Sequence, residues 1–188
     1  GGIIMGLNFS AHPNTTQSRP AGLILHGTFN MDGNSSYTVS NVPTDAVLVR
    51  ISFKNLSVSS SGGPRYYLNL GSTSGVDTNN NYRWGNGYYD NGGQSGNGSS
   101  AHSNFRIVNS SHTNANHREC GYIDFAKSSQ GWVGHGQFTD YHYSQGINYH
   151  FSGVWMANAA IQNIRMVATN GTFNNSSIMI IHYQPGEV

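Results

Sequence analysis

The sequence predicts an all-β fold, an antiparallel β-sandwich with long Asn/Gly-rich loops, and three observations carry that prediction. Gly, Asn and Ser together supply 71 of the 188 residues. Gly loses backbone entropy in a helix, and Asn and Ser compete with the helix for hydrogen bonds, so all three favour turns and caps. Charged residues reach only 9%, against about 25% in an ordinary soluble domain. The only Lys and Glu are Lys54, Lys127, Glu119 and Glu187, too few to build exposed helical faces, which excludes a helical bundle or coiled coil. Finally, short segments alternating with a period of two recur along the chain with turn residues between them.

Residues 1–21 carry Pro13, Pro20 and a Thr15-Thr16-Gln17-Ser18 stretch, and read as an extended lead-in that packs on a neighbouring subunit. The start Gly1-Gly2-Ile3 has no initiator Met, so the chain reads as a processed product, a tag scar or an excised fragment. Residues 22–188 read as a single β-sandwich domain. Residues 23–29 make its first strand and residues 37–42, closed by Pro43, the second. Residues 46–54 give the clearest signal: Val47, Val49, Ile51 and Phe53 alternate with Ala46, Leu48, Arg50, Ser52 and Lys54. Residues 65–70 place Tyr66, Leu68 and Leu70 on one face. Residues 105–108 and 121–126 are shorter, the latter with Ile123 and Phe125 facing one way. Residues 147–155 set Ile147, Tyr149, Phe151, Gly153 and Trp155 against Asn148, His150 and Ser152, and residues 161–168 and 178–183 close the chain. Nine or ten such strands point to a sandwich of jelly-roll type. Only residues 157–164 could be read as helix, and they are too few for periodicity to decide.

Several function classes are excluded or disfavoured. Leu, Ile, Val and Phe sum to 38 residues, at the border of disorder, but a net charge of +1 and 12% aromatics argue for a folded chain. The nine Lys and Arg are scattered singly, so no basic stripe for nucleic acid exists. No apolar run approaches the roughly 18 residues a membrane helix needs. Cys120 is alone, which excludes a disulfide framework and a thiolate metal cage. Asp77-Thr78-Asn79-Asn80-Asn81 matches the first half of a calcium loop, but Tyr82 and Tyr88 stand where that loop needs Gly and a bidentate Glu. The default is an Asn-rich turn. The nine His show no HxH or HExxH; His112 and His117 lie five apart, and His135 and His142 flank Asp140. No metal and no cofactor is expected. Eight scattered acids, no G-x-S-x-G elbow, and Cys120 with only His117 nearby give no catalytic constellation. The nine N-x-[ST] acceptors follow from composition and do not establish secretion.

One segment stands apart. Residues 76–101 read as a long loop, and a structureless loop beyond about 12–15 residues is usually functional or disordered. Tyr82, Trp84, Tyr88, Tyr89 and Asp90 are interleaved there with Asn and Gly. Tyr and Trp offer rigid amphipathic area, while Asn, Ser and Gly supply adaptable hydrogen bonds, a palette that suits sugars. Packing of these rings on their own sheet or on a subunit is the plainer reading. Trp132, His135, Tyr141, His142 and Tyr143 form a second such cluster. Candidate ligand contacts are therefore Tyr82, Trp84, Tyr88, Tyr89, Asp90, Trp132 and Tyr141.

The last forty residues carry a resemblance. Gly153-Val154-Trp155, Ala160-Ile161-Gln162-Asn163-Ile164-Arg165-Met166, Asn170-Gly171-Thr172-Phe173 and Ser177-Ile178-Met179-Ile180 resemble the closing module of tailed-phage virion proteins. In those proteins a Gly-aromatic strand, an I-x-x-I-x-I strand, an x-G-x-F turn and an Ile-rich strand finish a jelly roll. Tyr37-Thr38-Val39 and Ile51-Ser52-Phe53-Lys54-Asn55-Leu56-Ser57 are similar to their early strands. The family commonly ends in Tyr-Gly, whereas this chain continues through Tyr183-Gln184-Pro185-Gly186. The resemblance covers about a fifth of the chain. It implies a virion structural protein, homotrimeric, exposed on the particle surface beside other virion proteins, with no catalytic residue and no membrane insertion. A tail-fibre or spike head would attach to a host surface glycan or protein. The family also includes capsid decoration proteins, and a secreted lectin-like module remains the alternative outside it.

Overall fold

The computed structural model describes residues 22–59, 65–90, 93–109, 118–140, 147–174 and 176–186; the lead-in 1–21 lies outside them. Eight strands pair in a nested, antiparallel fashion. β1 (Ile24–Asn30) pairs with β13 (Ile178–Pro185), and β2 (Ser36–Val39) with β12 (Asn163–Ala168). Inside these, β3 (Ala46–Leu56) pairs with β9 (Glu119–Ser128), and β4 (Arg65–Ser72) with β8 (Phe105–Asn109). β1, β13, β3 and β9 lie side by side in one sheet, and β2, β12, β4 and β8 in the other. The chain is thus a long hairpin rolled into two sheets, the jelly roll that the strand spacing predicts.

Two insertions widen it. β5 (Gly75–Val76), β6 (Tyr82–Asp90) and β7 (Gly93–His102) come between β4 and β8; β10 (Gly131–Asp140) and β11 (Ile147–Trp155) come between β9 and β12. β5 extends β4. The other four continue the first sheet beyond β9 in the order β10-β11-β6-β7, so that it becomes eight strands wide. β8, from the opposite sheet, packs across the inner face of β6 and β11.

The expected apolar faces meet between the sheets. Tyr66, Leu68 and Leu70 of β4 and Ile123 and Phe125 of β9 are fully buried, and Tyr149 and Phe151 of β11 nearly so. Phe105 of β8 centres an aromatic cluster, with ring centroids 4.8 Å from Tyr82, 5.3 Å from Phe151 and 5.5 Å from Phe125. Val47 departs from expectation: it is 38% exposed, whereas Ala46 is buried. The β3–β13 pairing steps from Leu48↔Gln184 to Ala46↔Pro185. This bulge shifts the alternation by one residue and turns Val47 outward.

No helix occurs among the described residues. Residues 157–162 are irregular, tied down by the Trp132 indole, which donates to the Ala159 carbonyl at 2.8 Å. The residues of the closing module finish the roll. Ile161, Ile164 and Met166 are fully buried. Gly171 takes φ 77°, a left-handed turn conformation suited to glycine. Phe173 then bridges Val58 and is buried.

Candidate functional site

The stretch 76–101, expected as a loop, is mostly two paired strands, β6 and β7, and this corrects the assignment of its aromatic residues. Tyr82 is fully buried. Its single hydroxyl proton is shared between the carbonyls of Leu70 (2.8 Å) and Asp77 (2.9 Å), and its oxygen accepts from Leu70 N–H. Burial pushes the Tyr82 phenol well above its ordinary value. Trp84 is 8% exposed and meets His102 edge-on at 6.1 Å. Trp132 is fully buried. All three face the core because alternate residues of a strand share a face, so none is an exposed contact. Tyr88, Tyr89 and Asp90 lie on β6, but their side chains are outside what is described; Tyr141, with His142 and Tyr143, lies outside the described residues altogether.

Asp77 organises the turn that enters β6. Its carboxylate accepts from Asn79 N–H at 2.9 Å, Asn81 Nδ2 at 2.9 Å and the Trp155 indole at 2.8 Å. Burial pushes its pKa up, but these hydrogen bonds together outweigh burial and hold the carboxyl below the ordinary carboxylate range. The residues that resemble half a calcium loop thus serve an Asx turn. No group of three or more metal-ligating side chains occurs among the described residues.

The surface feature of the insertions lies on the opposite side, the outer face of β10-β11-β6-β7. Cross-strand register aligns His135, Ser152, Gly85 and Gly98 in one row, and Gln137, His150, Gly87 and Gly96 in the next. On β10, Val133, His135 and Gln137 point out while Trp132, Gly134, Gly136 and Phe138 point in. The result is an open trough of about 520 Å³ floored by glycine backbone, with His135, His150 and Ser152 along one side. It continues along β6 and β11 past Arg83 and Val154 to Val133. On the far side of His135, Arg50 makes a two-pronged ion pair with Asp124 (2.7 and 2.6 Å) and stacks over Tyr122 at 4.8 Å. Large side chains do not announce this trough, because its signal is an absence of side chains: two successive outward glycines in each strand, Gly85 and Gly87 in β6 and Gly96 and Gly98 in β7.

A second polar cluster is sealed inside. Glu119 and Asp140 are directly opposed across β9 and β10, and both are fully buried. Among the described residues, neither Glu119 carboxylate oxygen nor the buried Tyr66 hydroxyl has a hydrogen-bond partner. Burial, then the charge of Asp140, pushes the Glu119 carboxyl well above its ordinary value. Burial raises Tyr66 likewise, helped by Glu119, Asp140 and Tyr149. A sealed acid pair of this kind is out of reach of a polymeric substrate.

No family model matches the chain, and no curated protein matches it. Among solved structures it is similar, at 6% identity, to the CBM2 module of the evolved Dit of Lactobacillus casei BL23 phage J-1. That likeness covers 81% of this chain and 70% of that one at a TM-score of 0.21, too low to bear on fold or function.

Proposed function

We propose that this protein is a non-enzymatic structural component of a phage virion, the distal head of a tail fibre or spike, and that it attaches the particle to a host surface glycan through the glycine-floored trough. The trough is the observation that carries this reading. A Cβ at Gly85 would meet Ser152 Oγ at 3.6 Å and the Asn97 carbonyl oxygen at 3.8 Å, both ordinary contacts, so packing does not demand glycine there. Glycine weakens strand interiors and recurs where a ligand approaches the backbone. A bare floor lets a sugar ring lie on the peptide planes, with imidazole and hydroxyl groups placed to fix its hydroxyls. The resemblance of the closing module to virion proteins supplies the context: a homotrimer beside other virion proteins on the particle surface.

The exposed apolar residues at the β1 end of the sheet favour one further reading. Leu25 is 57% exposed, and Leu23 and Val47 are each 38% exposed. Exposed apolar side chains there would suit a capsid decoration protein seated on its own shell. Binding to host cells and to a glycan array separates the two readings. On the attachment reading the wild type binds both, and Gly85→Val abolishes binding with the melting temperature nearly unchanged. Binding that survives Gly85→Val removes the trough from the site. Binding to purified capsids alone, with no glycan retained, favours the decoration role.

A further inference from the structure

Resting on that reading, we infer that the trough takes an anionic glycan, one carrying carboxylate or phosphate groups, with Arg83 as its charged anchor. Arg83 is exposed on β6, where its register partner is Val154 of β11, on the same outer face as Gly85. No ion pair engages its guanidinium among the described residues. In a chain with nine Lys and Arg, a cation held unneutralised beside a cleared surface marks a place where an anion is supplied from outside.

The rest of the lining agrees in sign. Among the described residues, neither the trough nor its continuation past Arg83 contains a carboxylate. The nearest acid across the sheet is Asp124, the register partner of His135, and its two oxygens are already engaged by Arg50. A site for a neutral sugar needs acceptors for hydroxyl protons, and Asp or Glu usually provides them. Here the two imidazoles and the Ser152 hydroxyl, which already donates to the Gly85 carbonyl at 3.5 Å, can each accept, and the charged donor facing the ligand is the Arg83 guanidinium. A donor of that kind pairs best with the oxygens of a charged group, and an arginine fork fits a carboxylate or a phosphate with two parallel bonds.

The test measures binding of the full chain to three probes: a galacturonate oligomer, a poly(glycerol phosphate) chain and neutral dextran. The expected result is retention of one or both anionic probes and not of dextran, with affinity falling as salt rises. Arg83→Gln should weaken anionic binding about ten-fold or more and flatten the salt dependence. The melting temperature of Arg83→Gln should match wild type, because Arg83 is exposed. Preference for the galacturonate identifies a carboxylate ligand, and preference for the glycerol phosphate a phosphate. Dextran bound as well as the anions, or indifference to Arg83→Gln, overturns the inference while leaving attachment through the trough intact. Retention of no carbohydrate by the array or by these probes overturns both.

Discussion

β10 and β6 are strands of one sheet, each alternates glycine with larger residues, and their glycines face opposite ways. In β10, Gly134 and Gly136 point into the sandwich, and a Cβ at residue 136 would stand 2.7 Å from Ile123 Cγ1. In β6, Gly85 is on the outer face, and a Cβ there would find no neighbour closer than 3.6 Å. The inner glycines are required by what already lies over them: Phe125 and Ile123 occupy the space a side chain would need. Among the outer ones, Gly96 and Gly98 are crowded by the backbone oxygens of Asn86 and Trp84, at 3.2 and 3.1 Å from where a Cβ would stand, whereas nothing among the described residues requires glycine at residue 85. A strand glycine marks close approach, and where the approaching group is missing from the chain itself, it belongs to something else.

This contrast can be broken at several points. The largest effect is expected at Trp84, which directly precedes Gly85 on β6 and faces inward. Trp84→Ala should lower stability by about 3–5 kcal/mol, the usual cost of emptying a core aromatic site. A denaturant titration showing no loss would mean that Trp84 is not core. Next comes Gly136→Ala, which forces a methyl group against Ile123 and should cost about 1–3 kcal/mol. If it is neutral in thermal melts, Gly136 is as free as Gly85 and the comparison fails.

Glu119 tests the inner face by pH rather than volume. Its folded-state value is raised, so the folded chain holds a proton that the unfolded chain releases. Stability from this group is therefore complete below the ordinary carboxyl range, and it declines as pH climbs from there toward the folded value. Asp77 acts with the opposite sign: its value is depressed on folding, so its contribution is present above the ordinary range and fades as pH falls. Glu119→Gln should raise the melting temperature at neutral pH and flatten its decline between mildly acidic and neutral pH. An unchanged slope would show that the Glu119–Asp140 pair does not share the buried environment described here. The smallest effect on stability is expected at Gly85. Gly85→Ala should be neutral or stabilise by up to about 1 kcal/mol through lower unfolded-state entropy; a marked loss measured by calorimetry would show that the floor is structural.

Which parts were legible in the sequence follows from side-chain size. The strands of the jelly roll proper announce themselves through large alternating residues, as Val49, Ile51 and Phe53 do in β3 and Tyr66, Leu68 and Leu70 do in β4. The inserted strands β6, β7 and β10 do not. Their inward positions include Gly134 and Gly136, and their outward ones Gly85, Gly96 and Gly98, so hydrophobic periodicity vanishes although pairing is regular. The aromatic residues between 76 and 101 were visible as a cluster, and burial of Tyr82 and Trp84 is the plainer of the two readings open to them. The trough could not be read, because it depends on register across four strands from two separate parts of the chain.

The nested pairing has a consequence in time. Ile24 finds its partner in Tyr183, so β1 has no ladder to join until the chain has been synthesised through β13. The pairs available earlier are those close in sequence: β6 with β7, then β9 with β10 and β10 with β11. Closing distant pairs is slow because loop entropy must be overcome before any contact rewards it. The inserted strands therefore form the first framework, and the outer turns of the roll wrap on last. Substitutions in the β9–β11 meander should slow folding, whereas those in β1 should chiefly speed unfolding.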